Sequence, residues 1–215
     1  VDIILPDIRF VEEQKVNLRG IILTHAHEDH FGAIPYLWDK LQVPIYGTAF
    51  TLALLRRKLA EAKLPEKIPL HEIKYNVDYN FGAFTVEFVA LSHSIPDPAA
   101  LIIKTDIGQI LHTGDWKLDE TPMLGGKTDV ARLKQIGDEG VIALIGDSTN
   151  AMVAGRTPSE AVAREGLTDV IANAQQTVAI TCFASNVARI DSIVAAAKAN
   201  NRHVCVVGRA LHRAI

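Results

Sequence analysis

An apolar run, Gly20-Ile21-Ile22-Leu23-Thr24, breaks without a linker into His25-Ala26-His27-Glu28-Asp29-His30, and this junction constrains the chain more than any other segment. A short continuous apolar run bounded by polar residues reads as a buried strand. Ionisable side chains crowded on its exit are costly to bring together unless something neutralises them. With 8 His in 215 residues, a His-x-His-x-Asp-His pattern arises by chance with odds on the order of one in a thousand. Neutral imidazoles with a carboxylate suit zinc or a similar borderline cation, and alternate side chains of one loop can face two different ions. His25 and His27 are expected to face one metal, and Asp29 and His30 another. The competing reading is a solvated polar loop.

The same punctuation recurs along the chain. Phe84, Val86, Phe88 and Ala90 alternate as one face of a strand that exits into Ser92-His93-Ser94. A hairpin follows, Ala100 to Lys104, a turn at Asp106-Ile107-Gly108, and Gln109 to Thr113, exiting into Gly114-Asp115. Val141 to Ile145 reads as another buried strand and exits into Gly146-Asp147-Ser148-Thr149-Asn150. Four strands thus end in a His or an Asp. Taken singly, His93 and Asp115 read as turn residues or as partners of ligands. Taken with the first motif they supply a third imidazole for one ion and an anionic bridge between two, as a dinuclear site about 3.5–4 Å across requires.

Helices fill the intervals. Ile34, Leu37, Trp38 and Leu41 recur at three- and four-residue spacing, so Phe31 to Leu41 is expected to pack on a sheet. Phe50 to Ala62 places Leu54, Leu55 and Leu59 inward and Arg56, Arg57 and Lys58 outward, with Pro65 and Pro69 closing it. Near Arg156-Thr157-Pro158-Ser159 the texture turns to loop, and Ser159 can cap a helix from Glu160. We expect a domain boundary there, dividing residues 1–156 from 157–215. Beyond it, Thr177 to Thr181 (strand), Val187 to Ala199 (helix) and His203 to Val207 (strand) read as a βαβ unit of a parallel sheet. The chain opens on Val rather than Met in the strand-like Val1-Asp2-Ile3-Ile4-Leu5, and closes on a helix-like start after Gly208, so a piece of a longer protein is expected.

Composition excludes some classes. At 48% hydrophobic and 22% charged residues the chain can bury a core, and disorder is ruled out. The net charge of −3 provides no global basic field, so nucleic-acid binding would rest on a local patch. Cys182 and Cys205 lack a Cys-x-x-Cys spacing and lie in apolar stretches, which argues against a disulfide framework and for a cytoplasmic setting. No apolar run nears the roughly 18 residues of a membrane helix, so no membrane partner is expected.

His25-Ala26-His27-Glu28-Asp29-His30, Ser92-His93-Ser94-Ile95-Pro96-Asp97, Thr113-Gly114-Asp115-Trp116-Lys117 and Gly146-Asp147-Ser148-Thr149-Asn150-Ala151 together resemble the metallo-β-lactamase fold in its β-CASP nucleic-acid-processing branch, most closely the bacterial ribonuclease J family. Phe183-Ala184-Ser185-Asn186-Val187-Ala188-Arg189 is similar to the β-CASP insertion of that group. The resemblance implies an α/β fold: a partial αββα sandwich followed by the first part of a Rossmann-like β-CASP domain. It further implies that His25, His27 and His93 bind one zinc, that Asp29 and His30 bind the second, and that Asp115 bridges them, manganese being an alternative metal. Asp147 matches an acidic motif of the branch and joins Asp29 and Asp115 as a catalytic candidate. Its plainer role is to cap the loop after a strand.

The implied activity is hydrolysis of RNA phosphodiester bonds, by endonucleolytic cuts or 5′-to-3′ exonucleolytic steps, in a homo-oligomer of the intact protein. The family adds further histidines after its β-CASP insertion, beyond the last residue here, one of them completing the second metal site. His203 and His212 sit in no matching motif, His71 is read as a surface residue, and His112 as a neighbour of the metal ligands. Ser185 and Asn186, opening a helix after a strand, are candidates for holding a substrate phosphate, with helix capping as the rival and Arg189 one turn on as a further phosphate contact. Two other readings compete: a metallo-β-lactamase-fold hydrolase acting on a thioester or lactone, and a non-catalytic scaffold.

Overall fold

The computed structural model describes residues 3–64 and 67–214. In chain order the elements are α1 (Arg9–Glu13), β1 (Ile21–Ile22), α2 (Glu28–Phe31), α3 (Ile34–Leu41), β2 (Ile45–Gly47), α4 (Ala49–Glu61), β3 (Leu70–Glu72), β4 (Asp78–Phe81), β5 (Phe84–Ala90), β6 (Ala99–Thr105), β7 (Gly108–His112), α5 (Val130–Glu139), β8 (Ala143–Ile145), α6 (Glu160–Asn173), α7 (Val187–Ala199) and α8 (Arg209–Ala214).

The strands form two sheets, a parallel one in the order β1-β2-β3 and a mixed one in the order β4-β5-β6-β7-β8. β4 to β7 run antiparallel as a meander, with Val86 opposite Ile103 and Ile102 opposite Leu111, while β8 joins β7 in parallel. Three apolar layers hold the stack together. Leu23, Phe31, Ile34, Ile45, Leu52, Leu55 and Leu59 pack α3 and α4 onto the parallel sheet. Val86, Phe88 and Leu101 meet Ile22, Tyr46 and Ile73 between the two sheets. Val89, Ala100 and Ile102 face Ile136 of α5 on the far side. The order helix, sheet, sheet, helix is the αββα sandwich expected from the sequence.

β5 illustrates the consequence. Strict alternation predicted one buried face, but Glu87 and Val89 are as buried as Val86 and Phe88, because α5 covers the second face and Arg132 binds the Glu87 carboxylate at 2.7 and 2.8 Å. The expected helix from Phe31 is instead two, α2 and α3, parted at Gly32-Ala33. A side chain at Gly32 would meet the Glu28 carbonyl at 2.3 Å, so the break needs glycine. α4 runs from Ala49 to Glu61 with Leu55 and Leu59 inward as expected, while the expected stop at Pro65 lies outside the described residues.

Three expectations fail. Ile3 to Leu5 form no strand, and Val1 and Asp2 lie outside the described residues. The strand expected at 141–145 narrows to β8 and is not buried: Leu144 and Ile145 are 64% and 52% exposed, since β8 is an edge with one neighbour. Residues 177–181 and 203–207 form no strands either, so of the expected βαβ unit only α7 is present. Two lone parallel strands have too little pairing to persist without a third, and these segments instead line an apolar cavity of about 630 Å³ against Ile190, Val194 and Ala197.

Candidate metal centre

The site is assembled where strands of both sheets end. The Thr24 carbonyl accepts the Ala99 N–H at 2.9 Å, joining the exit of β1 to the start of β6. Gly114 turns the chain after β7 at φ +57, where a side chain would strike Thr24 at 3.1 Å. His112 Nδ1 accepts the Gly114 N–H at 3.1 Å, so it braces the turn that delivers Asp115.

His25, His27, His93 and Asp115 converge, each offering one ligand atom, and these atoms lie within 4.8 Å of one another. Asp29, His30 and Asp115 form a second such group. Asp115 is common to both. Its Oδ2 lies 3.8 Å from Nε2 of His25 and 3.8 Å from Nε2 of His93, and its Oδ1 lies 3.3 Å from Nε2 of His30. His93 Nε2 and His27 Nδ1 are 3.1 Å apart. Tetrahedral zinc with Zn–N bonds of about 2.0–2.1 Å separates its ligand atoms by about 3.3 Å, so the spacing of the first group suits one ion.

Electrostatics agree with that fit. His25 is fully buried, Thr24 Oγ1 contacts its Nδ1 at 3.1 Å, and its Nε2 has no hydrogen-bonding partner among the described residues. A buried orphan nitrogen costs about 1–3 kcal/mol, a cost removed when its lone pair coordinates a cation. Burial, reinforced by the positive charge that His30, His27 and His93 would carry, pushes His25 down to about 2. Burial and then His27 push His93 down to about 4. His27 is also lowered, chiefly by burial, against a hydrogen bond that its ring donates to the Ser185 backbone and the charges of Asp29 and Asp115. All three rings are therefore neutral near pH 7, the protonation state a metal ligand needs.

The remaining candidates lie around this centre. Asp29 is 79% exposed at its side chain and touches His30 at 3.4 Å. Asp147 stands outside both groups. Its Oδ1 accepts the Thr149 N–H and hydroxyl at 2.9 and 2.6 Å, the turn-capping geometry of the plainer reading. These bonds lower its carboxyl, and His93 and His30 lower it further through their charge.

Asn186 is the N-cap of α7, accepting the Arg189 N–H at 2.9 Å, while Ser185 leaves its side chain exposed and does not cap. The Arg189 guanidinium binds Glu160 at 2.8 and 3.2 Å, a committed partner that removes it as a ready phosphate contact. His71 stacks on Tyr46 at the surface, and His203 and His212 are exposed. Sequence reading missed the network behind α7. Asp119 accepts N–H bonds from Thr121 and Glu160, Lys117 lies 3.3 Å away, and Ala188 N–H bonds the Ser94 carbonyl at 3.1 Å. Asp119, Thr121 and Glu160 are isolated polar residues without motif spacing, so no pattern pointed to them.

A family model described as "Beta-lactamase superfamily domain" matches residues 5–136, and one described as "Ribonuclease J, beta-CASP domain" matches residues 175–215. The chain is 49% identical over its whole length to a ribonuclease J of Sinorhizobium meliloti, and 41% identical over 98% of its length to ribonuclease J2 of Bacillus subtilis. It spans 38% of the length of each of these relatives. Among solved structures, a protein of unknown function from Enterococcus faecalis V583 shares the fold over 82% of this chain and 44% of its own, with a TM-score of 0.58 at 21% identity.

Proposed function

This chain belongs to the β-lactamase superfamily and has its metallo-β-lactamase fold, and from that premise we propose that it is the metal-holding part of a ribonuclease J-type enzyme that hydrolyses RNA phosphodiester bonds. The observation that carries the reading is the orphaned, fully buried Nε2 of His25 facing Asp115 within a set of three neutral imidazoles. His25, His27 and His93 would hold one zinc, Asp29 and His30 the second, and Asp115 would span both, manganese being the alternative metal. Bound there, such cations lower the pKa of water and neutralise charge developing on a phosphate.

The chain's own residues do the rest. Asp115 holds His25, His30 and His93 around a single carboxylate, and Asp147 orders the adjoining 147–150 turn while its charge faces His93 and His30. The exposed Ser185 hydroxyl and Asn186 at the start of α7 would hold a substrate phosphate against the positive end of that helix. Residues 1–156 form the metal domain in this reading and 157–215 begin the nucleic-acid domain. The β-CASP match over 175–215 favours RNA over a thioester or lactone. Both endonucleolytic and 5′-to-3′ exonucleolytic cleavage fit the site, in a cytoplasmic homo-oligomer.

The test is a substrate panel with metal analysis on the full-length gene product. Zinc-dependent cleavage of labelled RNA, with no turnover of thioesters or lactones, is expected. Turnover of a thioester or lactone without RNA cleavage would establish the other hydrolase class, and bound zinc with no hydrolysis of any substrate would establish a scaffold.

A further inference from the structure

His93 and Asp115 leave different strands, yet His93 Nε2 and Asp115 Oδ2 stand 3.8 Å apart. One residue before the histidine and two after the aspartate, the chain is cross-linked to itself. Ser92 and Lys117 form an isolated antiparallel bridge, in which the Lys117 N–H donates to the Ser92 carbonyl at 3.0 Å. The Ser92 hydroxyl donates to the Lys117 carbonyl at 2.6 Å and accepts the Asp119 N–H at 3.3 Å. The Ser92 N–H donates to Thr128 Oγ1 at 2.9 Å.

Ser92 and Thr128 are both buried. A buried hydroxyl is kept where it is bonded, and serine both donates and accepts through one small group. Every hydrogen-bonding group of Ser92 is engaged, and each of these bonds ends between Lys117 and Thr128, in the stretch that follows Asp115. That stretch is itself anchored. Asp119 accepts the Glu160 N–H at 3.0 Å, and the Asp129 N–H donates to the Ala90 carbonyl at 2.9 Å, at the end of β5. Alanine at position 92 would take the acceptor from the Asp119 N–H and leave the Lys117 carbonyl to the Thr128 hydroxyl, 3.3 Å away.

We infer that Ser92, anchored by Thr128, is a positioning residue for the metal centre: through the backbone that carries both ligands, its hydroxyl sets the spacing of His93 and Asp115. Ligand sets work only when held within about 0.5 Å of the productive geometry, and loss of the partners that orient ligands typically costs about 10–100-fold in metal affinity. The inference rests on His93 and Asp115 being ligands, as proposed above, but the hydroxyl cross-link can be read without metal.

The experiment uses the full-length gene product. Hydrogen exchange of the Lys117 and Asp119 amides is followed in the metal-free protein, and zinc competition against a chelator and the visible spectrum of the first cobalt(II) equivalent are recorded alongside. In Ser92→Ala the Asp119 amide is expected to exchange faster, the zinc shared by His93 and Asp115 to weaken about tenfold, and the cobalt bands to move. Ser92→Thr, which keeps the hydroxyl, is expected to restore most of all three. Ile136→Val, a core change on the far side of the mixed sheet, is expected to lower the melting temperature while leaving zinc affinity and cobalt bands as in wild type. Wild-type zinc affinity and cobalt bands in Ser92→Ala, or an unchanged Asp119 amide there, overturn the inference. So does an equal loss of zinc affinity in Ile136→Val, the mark of stability alone. If Ser92→Ala does not fold, Thr128→Val, which takes the acceptor from the Ser92 N–H, is read for zinc and cobalt in the same way. A wild type that binds neither ion contradicts the metal reading and the inference with it, and is told apart from the other outcomes because the wild type itself fails.

Discussion

Asp119 accepts the backbone N–H of Glu160 at 3.0 Å, a bond that spans 41 residues of sequence and fastens the loop after Asp115 to the first turn of α6. The carboxylate also accepts the Thr121 N–H at 3.0 Å and pairs with Lys117 at 3.3 Å. Burial works to push this carboxyl up, but hydrogen bonds with Ser159, Glu160, Thr121 and Lys117 outweigh it and hold it at about 2, against an ordinary 3.8. A depressed folded-state value gives stability that is present above the unfolded value and is lost as pH falls from about 4 through about 2. Asp119→Asn should therefore cost about 2 kcal/mol near neutral pH. Denaturant melts of wild type and variant across that range should show the difference shrinking toward pH 2; a difference independent of pH would assign it to packing.

Gly114 is required where it stands. At φ +57 an alanine is strained, and its Cβ would press on Thr24 at 3.1 Å, directly beside His25. Gly114→Ala should lose about 1–2 kcal/mol of stability from the backbone alone and displace Asp115. Urea titration paired with zinc competition should find both stability and affinity reduced, whereas unchanged affinity would mean that Asp115 tolerates the shift.

The two metal positions should differ in strength. Three imidazoles and Asp115 serve the first, while the second draws on His30, Asp115 and the largely exposed Asp29. Mild chelation should strip one ion before the other, and His27→Ala should remove the tighter one. Simultaneous loss of two ions in elemental analysis would count against unequal sites.

Ser185 and Asn186 should separate on substitution. Asn186→Ala removes the α7 cap and should cost about 1 kcal/mol, while Ser185→Ala removes no cap and should leave melting unchanged. If Ser185 holds phosphate, its loss should slow exonucleolytic turnover of 5′-monophosphorylated RNA and spare cutting of a circular RNA. Equal slowing on both substrates would remove the phosphate role.

Much of this site was legible because its residues follow strands. His25, His27, His30, His93 and Asp115 each terminate an apolar run, and the αββα layers bring those termini to one place. What was not legible depended on tertiary contacts. Thr177 to Thr181 has strand propensity, but a ladder needs neighbours and none is present among the described residues. Arg189 reads as a phosphate contact until Glu160, 29 residues upstream, is found bound to it. The Asp119 bonds use single polar residues with no spacing rule.

The most direct measurement is zinc stoichiometry and cleavage of a 5′-labelled RNA recorded together, for the full-length gene product and its Asp115→Ala variant, after chelation and stepwise return of zinc. Because Asp115 is the carboxylate shared by both ligand groups, the account predicts that wild-type cleavage returns in step with bound zinc, and that Asp115→Ala neither retains two ions nor cleaves. Full RNA cleavage by the chelated wild type, or by Asp115→Ala, would contradict it.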